Sequence, residues 1–507
     1  MLKAIRSVFQ IKYWLVAFAG ALFSLVVWKI MALEVRYIMA IAAGIVFLAV
    51  CMMAISRITD ILVYAMVFNI PFAIFAKWLL VSENAVPGIG AYGINLGMAE
   101  FLLTMAYTVW FGKVFITRSQ PFPTFRKIDF AIVLLILCQM ISTIGTHDRE
   151  LALFNIIHNI KHILMYLFIA HNVKRDHLKT IILILLFAVL LESSLALFQR
   201  VTGAVGLGVA KGKLSHAGFE SQQSVPGLEQ IRASGTTIDS HALGLYFSLI
   251  LPVPLVFSMT RYLRPKYRII LAIILIIGIM GLVVTFTRSG WLSFAISATF
   301  AMGVIVFMWK QRKALVVAFV VWIIVSVCYP KAYSYLYNRL FHAPSEIVSE
   351  RFVLNRTALS VWRHHFLFGA GPANYHNAIQ EPEVTVYGSG MYPVHNSYLV
   401  LACEIGLCGS IVYWGIILTA ITYCWKVLRC SDLLIRGLAL AMMAAFFAYM
   451  LDGLTGPMFR EAVPYAQLWT YIGLTVSLKR LLAEQEPERA TVVPADDRAA
   501  NPPGDQL

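Results

Sequence analysis

RIILAIILIIGIMGLVVTFTRSGWLSFAISATFAMGVIVFMW, residues 268–309, is a nearly unbroken apolar run. As a single helix it would extend roughly 60 Å at ~1.5 Å per residue, about twice the ~30 Å hydrocarbon core of a bilayer. The run is therefore read as two membrane spans folded back on each other. Its one break is Thr287-Arg288-Ser289-Gly290, where Gly permits a tight turn and Arg terminates the apolar stretch. Arg288 is expected at a membrane surface.

The same pattern recurs along the chain. Of its 507 residues, 60% are hydrophobic and 13% charged, against roughly a quarter charged in soluble domains. Apolar windows predict about fourteen transmembrane helices, near 13–32, 36–55, 60–80, 96–112, 130–146, 151–171, 178–200, 239–259, 268–286, 289–309, 314–330, 395–424, 434–452 and 461–479. The expected fold is an all-α polytopic membrane protein, with residues 1–480 forming one integral-membrane domain. The first run follows Lys3, Arg6 and Lys12 as a signal peptide would. It is long, lacks a small-residue cleavage site and is followed by further spans, so it reads as a retained helix.

The net charge of +15 is explained by topology rather than by nucleic acid. With the N-terminus inside, each inner loop is basic: Arg57; Lys113, Arg118, Arg126 and Lys127; Lys174, Arg175 and Lys179; Arg261, Arg264, Lys266 and Arg268; Lys310, Arg312 and Lys313; Lys426, Arg429 and Arg436. An odd error in the span count would break this alternation. The expectation is a multi-pass membrane protein with both termini on the inner side. Residues 481–507 are polar and Pro-rich and read as a disordered cytoplasmic tail. The seven cysteines lie in or beside apolar runs without a CxxC pair, which indicates neither a disulfide framework nor a zinc site.

Three outer segments exceed a turn: 81–95, 201–238 and 331–394. In the last, SERFVLNRTALSVWRHHFLFGAGPANYHN (349–377) places Leu354, Ala358, Val361, Trp362 and Phe366 at helical spacing before a Gly-Ala-Gly-Pro break. This large outer segment is expected to be partly helical and to shape a cleft.

On this map the outer face holds Arg200 in FQR, Arg232 in IRASGTTIDSHALG, Arg288 in the hairpin and His395 in MYPVHNSYLV, with few carboxylates near them. Guanidinium groups form charge-assisted, often bidentate bonds to phosphate oxygens. An imidazole accepts a proton near neutral pH. The set suits a phosphate-bearing ligand at the outer surface. Each residue also has a plainer reading: Arg200 as an interface anchor, Arg232 and Arg288 as loop residues, His395 as a helix cap. Lys161 shares a helix face with His158 and His162 inside a span, and serves either a ligand phosphate or helix packing. Glu404 lies nine residues after His395, about half a helical rotation away in a straight helix. It reads as helix–helix glue, with Gly406 and Gly409 allowing close approach. Asp239, before His241, reads as a helix N-cap.

RASGTTIDSHALGLYFSLILP (232–252), TFTRSGWLSF (285–294), RTALSVWRHHFLFGAGPANY (356–375) and HNSYLVLACEIGLCG (395–409) resemble, in order, the signature blocks of the O-antigen ligase superfamily. That superfamily also contains O-antigen polymerases and pilin oligosaccharyltransferases. The resemblance implies a C-type glycosyltransferase fold that works without metal or other cofactor. It implies transfer of a glycan from an undecaprenyl-diphosphate donor at the periplasmic face, to a lipid A core, another glycan or a protein acceptor. It makes His395 the essential histidine, and Arg232 and Arg288 the arginines that engage the diphosphate. A lipid-linked oligosaccharide flippase or transporter is the alternative, although no inverted repeat and only one intramembrane cation, Lys161, point that way.

Overall fold

The computed structural model describes residues 44, 57–72, 76–81, 93–203, 224–225, 228–237, 239–260, 263–310, 345–387 and 394–491. The expected spans 13–32, 36–55 and 314–330, and the tail beyond 491, lie outside the described residues. Among the described residues the membrane region is built of helices. In chain order the helices are α1 (Ile58–Phe68), α2 (Met98–Phe111), α3 (Lys127–Ser142), α4 (Arg149–Asn172), α5 (His177–Thr202), α6 (Ser240–Ile250) and α7 (Pro252–Met259). They continue as α8 (Pro265–Val284), α9 (Arg288–Gly303), α10 (Ser345–His364), α11 (Tyr375–Ala378), α12 (Ser397–Val427), α13 (Leu433–Asp452) and α14 (Ala462–Thr491). Two antiparallel hairpins lie between helices: β1 (Ala76–Val81) with β2 (Gly93–Gly97), and β3 (Ser224–Val225) with β4 (Leu228–Ile231).

Among the described residues, eight helical stretches are long and apolar enough to cross a membrane: Met98–Ile116, α4, α5, Ser240–Met259, α8, Arg288–Met308, α12 and α13. Two expectations change. The window at 60–80 is helical only to Phe68, where Asn69 is followed by a short turn at Ile70–Phe72 containing Pro71. Proline lacks the N–H and disfavours helix in the residue before it. The chain then enters β1, because Lys77, Trp78, Leu80 and Val81 find partners across a hairpin. The final helix runs to Thr491, into the segment expected to be tail.

Packing sorts the spans into layers. Ser240–Met259 is buried along its whole length, and α13 and α14 are mostly buried; a helix apolar on every side belongs in the interior. The α8–α9 pair lies at the periphery and leaves Ile269, Ile270, Ile273, Leu292 and Ile296 exposed, as lipid-facing helices would. Charge separates the two ends. At the His177 end of α5, His177 meets Asp60 at 3.0 Å, Lys174 meets it at 3.7 Å, and Arg175 pairs with Asp432. Arg200 is at the other end, 23 residues and roughly 35 Å along the same helix.

Candidate functional site

The site is built around the α8–α9 turn. The helix α8 ends at Val284, and the turn is made by Thr285 to Thr287, with Phe286 at φ +53°. Arg288 is already the first residue of α9. The expectation that Gly290 makes the turn is corrected. Gly290 instead lets α9 touch α6, since a Cβ there would come within 2.8 Å of the Gly244 carbonyl oxygen.

Arginines from three elements meet at this turn. Arg232, just after β4, donates from Nε to the Thr285 carbonyl (3.1 Å) and from Nη2 to Thr287 Oγ1 (3.2 Å). Thr287 passes its own hydroxyl hydrogen to the Ser240 carbonyl at 2.8 Å, tying the turn to the start of α6. Arg200, in the last turn of α5, lies over the Phe286 ring at 5.3 Å from its centroid. Arg288 sits at the N-terminus of α9, where the side chain of Thr287 makes no capping bond. A helix N-terminus carries partial positive charge and favours an anion. A guanidinium added there concentrates positive charge further.

The Arg232 loop is held from α5. Gln199 Oε1 accepts from the Ser234 and Gly235 amides (3.1 and 2.8 Å), and its Nε2 donates to the Gly235 carbonyl (2.9 Å). The buried Glu192 accepts from Thr236 Oγ1 (2.6 Å) and from the Thr236 amide (3.0 Å). Replacing Gln199 by Leu leaves three backbone groups without partners, at roughly 1–3 kcal/mol for each buried one. The variant is expected to melt several degrees lower and to bind a diphosphate ligand more weakly because Arg232 is no longer fixed. Unchanged melting temperature and affinity would remove this positioning role.

His395 is exposed and lies immediately before the cap of α12. The cap is Asn396, whose Oδ1 accepts from the Tyr398 and Leu399 amides at 2.9 and 3.2 Å. His395 is thus not the capping residue. The next residue, Ser397, donates to the Gly456 carbonyl (2.7 Å) and accepts from the Met458 amide (2.8 Å). Gly456 in turn closes on His241: a Cβ there would lie 2.5 Å from its Nε2. The charges acting on His241 are those of Asp239, Arg232, His395 and Arg351. His241 is therefore close to both Arg232 and His395. Asp239 caps α6 as expected, accepting from the Ala242 amide at 2.8 Å, and Glu461 faces it.

The structure treats Lys161 and Glu404 differently. Lys161 pairs with Glu100 at 2.6 Å, so its charge already has a partner within the bundle. Its neighbour His162 bonds the His158 carbonyl (2.8 Å) and packs on Tyr465. Glu404 does not act between straight helices, because α12 is broken at Gly406 (φ +67°, ψ −173°). The residues around the break are completed by the 331–394 segment. Leu407 and Cys408 amides donate to Phe366 and Leu367 carbonyls (2.9 and 3.2 Å), while Ala370 and Gly371 amides donate to Cys403 and Glu404 carbonyls (2.8 and 2.9 Å). The Glu404 side chain forms a buried ion pair with Arg460, and the amides of Ala373 and Tyr375 face the same carboxylate. Tyr375 is buried beside this pair, and burial pushes its hydroxyl well above the ordinary phenol range.

The four sequence blocks thus form one assembly. Residues 271–414, which contain most of α8, then α9, α10, α11 and the first part of α12, match the family described as O-antigen ligase. Over these residues the chain is similar to the O-antigen ligases. The resemblance to the O-antigen ligase and polymerase superfamily stands, and glycan transfer in O-antigen assembly is the general activity of that family. A search of curated proteins found no match. Arg288 and His395 lie within the O-antigen ligase match, whereas Arg200 and Arg232 precede it. His241, Arg351, Arg460 and Glu461 carry no local sequence signal of a role. They are recognised only because the fold carries them to residues far away in the chain.

Proposed function

We propose that the protein transfers a glycan from an undecaprenyl-diphosphate donor to an acceptor hydroxyl at the periplasmic face of the inner membrane. The observation that supports this most is the meeting of Arg200, Arg232 and Arg288 on one turn, with Arg232 and His395 both close to His241. In this reading Arg232 and Arg288 bind the diphosphate and stabilise the negative charge that grows as the glycosyl bond breaks. Arg200 adds positive charge from α5. His395 removes the proton of the attacking hydroxyl, and single displacement inverts the anomeric centre. Guanidinium groups do here what a divalent cation does in other phosphate-releasing sites, so the reaction needs no metal. Lys161, neutralised by Glu100, is left out of the phosphate set.

Charge supports this sidedness. The basic loops mark one end as cytoplasmic, and the arginine turn is at the opposite end of α5.

The test is reconstitution in liposomes with a lipid-linked donor and a panel of glycan, lipid A core and peptide acceptors. A new glycosidic bond is the expected product, and the acceptor that is consumed distinguishes ligase, polymerase and protein transferase. Donor translocation without bond formation would establish the flippase instead. In the same system Arg288→Ala and Arg232→Ala are each expected to weaken donor binding about tenfold to a hundredfold, the loss of a charged hydrogen bond of roughly 1.5–3 kcal/mol. Unchanged donor affinity in both would count against the diphosphate role.

A further inference from the structure

Three histidines converge on one carboxylate away from the elements that carry the arginines. His365 Nε2 lies 2.8 Å from Glu381 Oε2, and His364 Nε2 lies 3.8 Å from the same oxygen. His147, in the loop between α3 and α4, meets Glu381 Oε1 at 2.9 Å. The ligating atoms of His364, His365 and Glu381 all fall within 4.8 Å of one another.

The backbone that presents them is fixed. The helix α10 ends at His364, while His365 donates its amide to the Val361 carbonyl and accepts from the Gly369 amide, both at 3.0 Å. Glu381 is held in a turn by its amide to Ala378 (3.3 Å) and by the Val384 amide to its own carbonyl (3.1 Å). The loop bearing His147 is joined to this segment by a reciprocal pair: Asn374 accepts from the Asp148 amide and donates to the Asp148 carbonyl, each at 2.9 Å.

One hydrogen bond to each oxygen, from His365 and His147, already satisfies much of the carboxylate. A further imidazole directed at Oε2 is surplus to that need. Two imidazole nitrogens and one carboxylate oxygen on a common centre form a donor set suited to a borderline divalent ion. We propose that His364, His365 and Glu381 bind a divalent transition-metal ion, with zinc the expected occupant, and that His147 orients the carboxylate through its other oxygen. Tetrahedral zinc bonds of about 2.0–2.2 Å place ligand atoms roughly 3.4 Å apart, so His364 must move inward by roughly an ångström while the His365–Glu381 pair opens by about half an ångström. Rotation of the exposed His364 side chain supplies most of that movement. The ion would clamp the end of α10 to the 374–384 turn and, through His147, to the α3–α4 loop. It is structural, and the transfer chemistry proposed above does not pass through it.

The experiment uses full-length protein carrying a tag without histidine, stripped with a chelator and dialysed against micromolar zinc. Bound metal is measured by plasma mass spectrometry and melting temperature by fluorescence. About one zinc per chain is expected in the wild type, with a higher melting temperature than the stripped protein. The double variant His364→Ala/His365→Ala and the single variant Glu381→Ala should lose both effects. His147→Ala should retain zinc with affinity weakened about 10–100-fold. His376→Ala serves as the control that keeps both effects. Folding of each variant is checked by gel filtration in detergent. A folded wild type that takes up no zinc would overturn the proposal, as would zinc retained undiminished by the double variant. Stabilisation that follows pH and ignores zinc would also overturn it, in favour of a proton-linked latch.

Discussion

His395→Ala is expected to lose turnover by about 10²–10⁴-fold, the usual contribution of a positioned general base, while still binding the lipid-linked donor. The structure makes this a clean substitution. The imidazole is exposed, and the cap of α12 is Asn396, so its removal leaves the helix cap in place. Melting temperature should stay within a degree or two, as for most exposed substitutions. The measurement is single-turnover transfer with saturating donor, alongside a donor-binding assay. Donor binding lost in step with turnover would move His395 into the phosphate site. Full activity would take the base away from His395, and His241, the imidazole beside it, would become the next residue to replace.

Gly406→Ala is expected to be the most damaging single-methyl substitution in α12. With φ +67° and ψ −173° the residue occupies a region open essentially to glycine alone, at a cost of about 1–3 kcal/mol for other residues. The added Cβ would also collide with the Leu367 carbonyl and the Phe368 amide of the inserted turn. Both effects act on the same junction, so a total loss above about 3 kcal/mol is expected. It should be read as a lower melting temperature and as faster proteolysis near 366–374. Gly415→Ala is the control: it lies in the same helix, a Cβ there meets nothing within 4 Å, and the change should be neutral or slightly stabilising. Equal behaviour of the two variants would mean that the break at Gly406 carries no structural load.

The α8–α9 hairpin was legible because a run too long for one crossing must turn, and its lone Arg marks where. The amphipathic helix of the 331–394 segment was legible too, since Leu354, Ala358 and Val361 share a face and are buried together. The Asp239 cap is a local signal, carried within a few residues of the helix it starts. The break in α12 is not local in this sense. Apart from Glu404, CEIGLC continues the apolar run of its flanks, and the distant FLFGAG turn gives its free amides and carbonyls partners. The same holds for Glu404, whose partner Arg460 is 56 residues away, and for Glu381, whose partner His147 is 234 residues away. Hydropathy windows also average over Pro71, so a short helix and a strand at 58–81 read as one span.

The junction at Gly406 has a consequence for inheritance. The 331–394 segment is where acceptor choice would be expected to vary, and a loop between spans is usually the part that recombination exchanges most easily. Here the loop supplies the hydrogen bonds that a membrane helix lacks at its break, Asp148 fastens the loop from the α3–α4 connection, and Arg460 locks the α12 side of the break through Glu404. Such a segment cannot be swapped between relatives as an insert. Residues 366–374 and 403–408 must travel as one unit, together with the arginine that locks them.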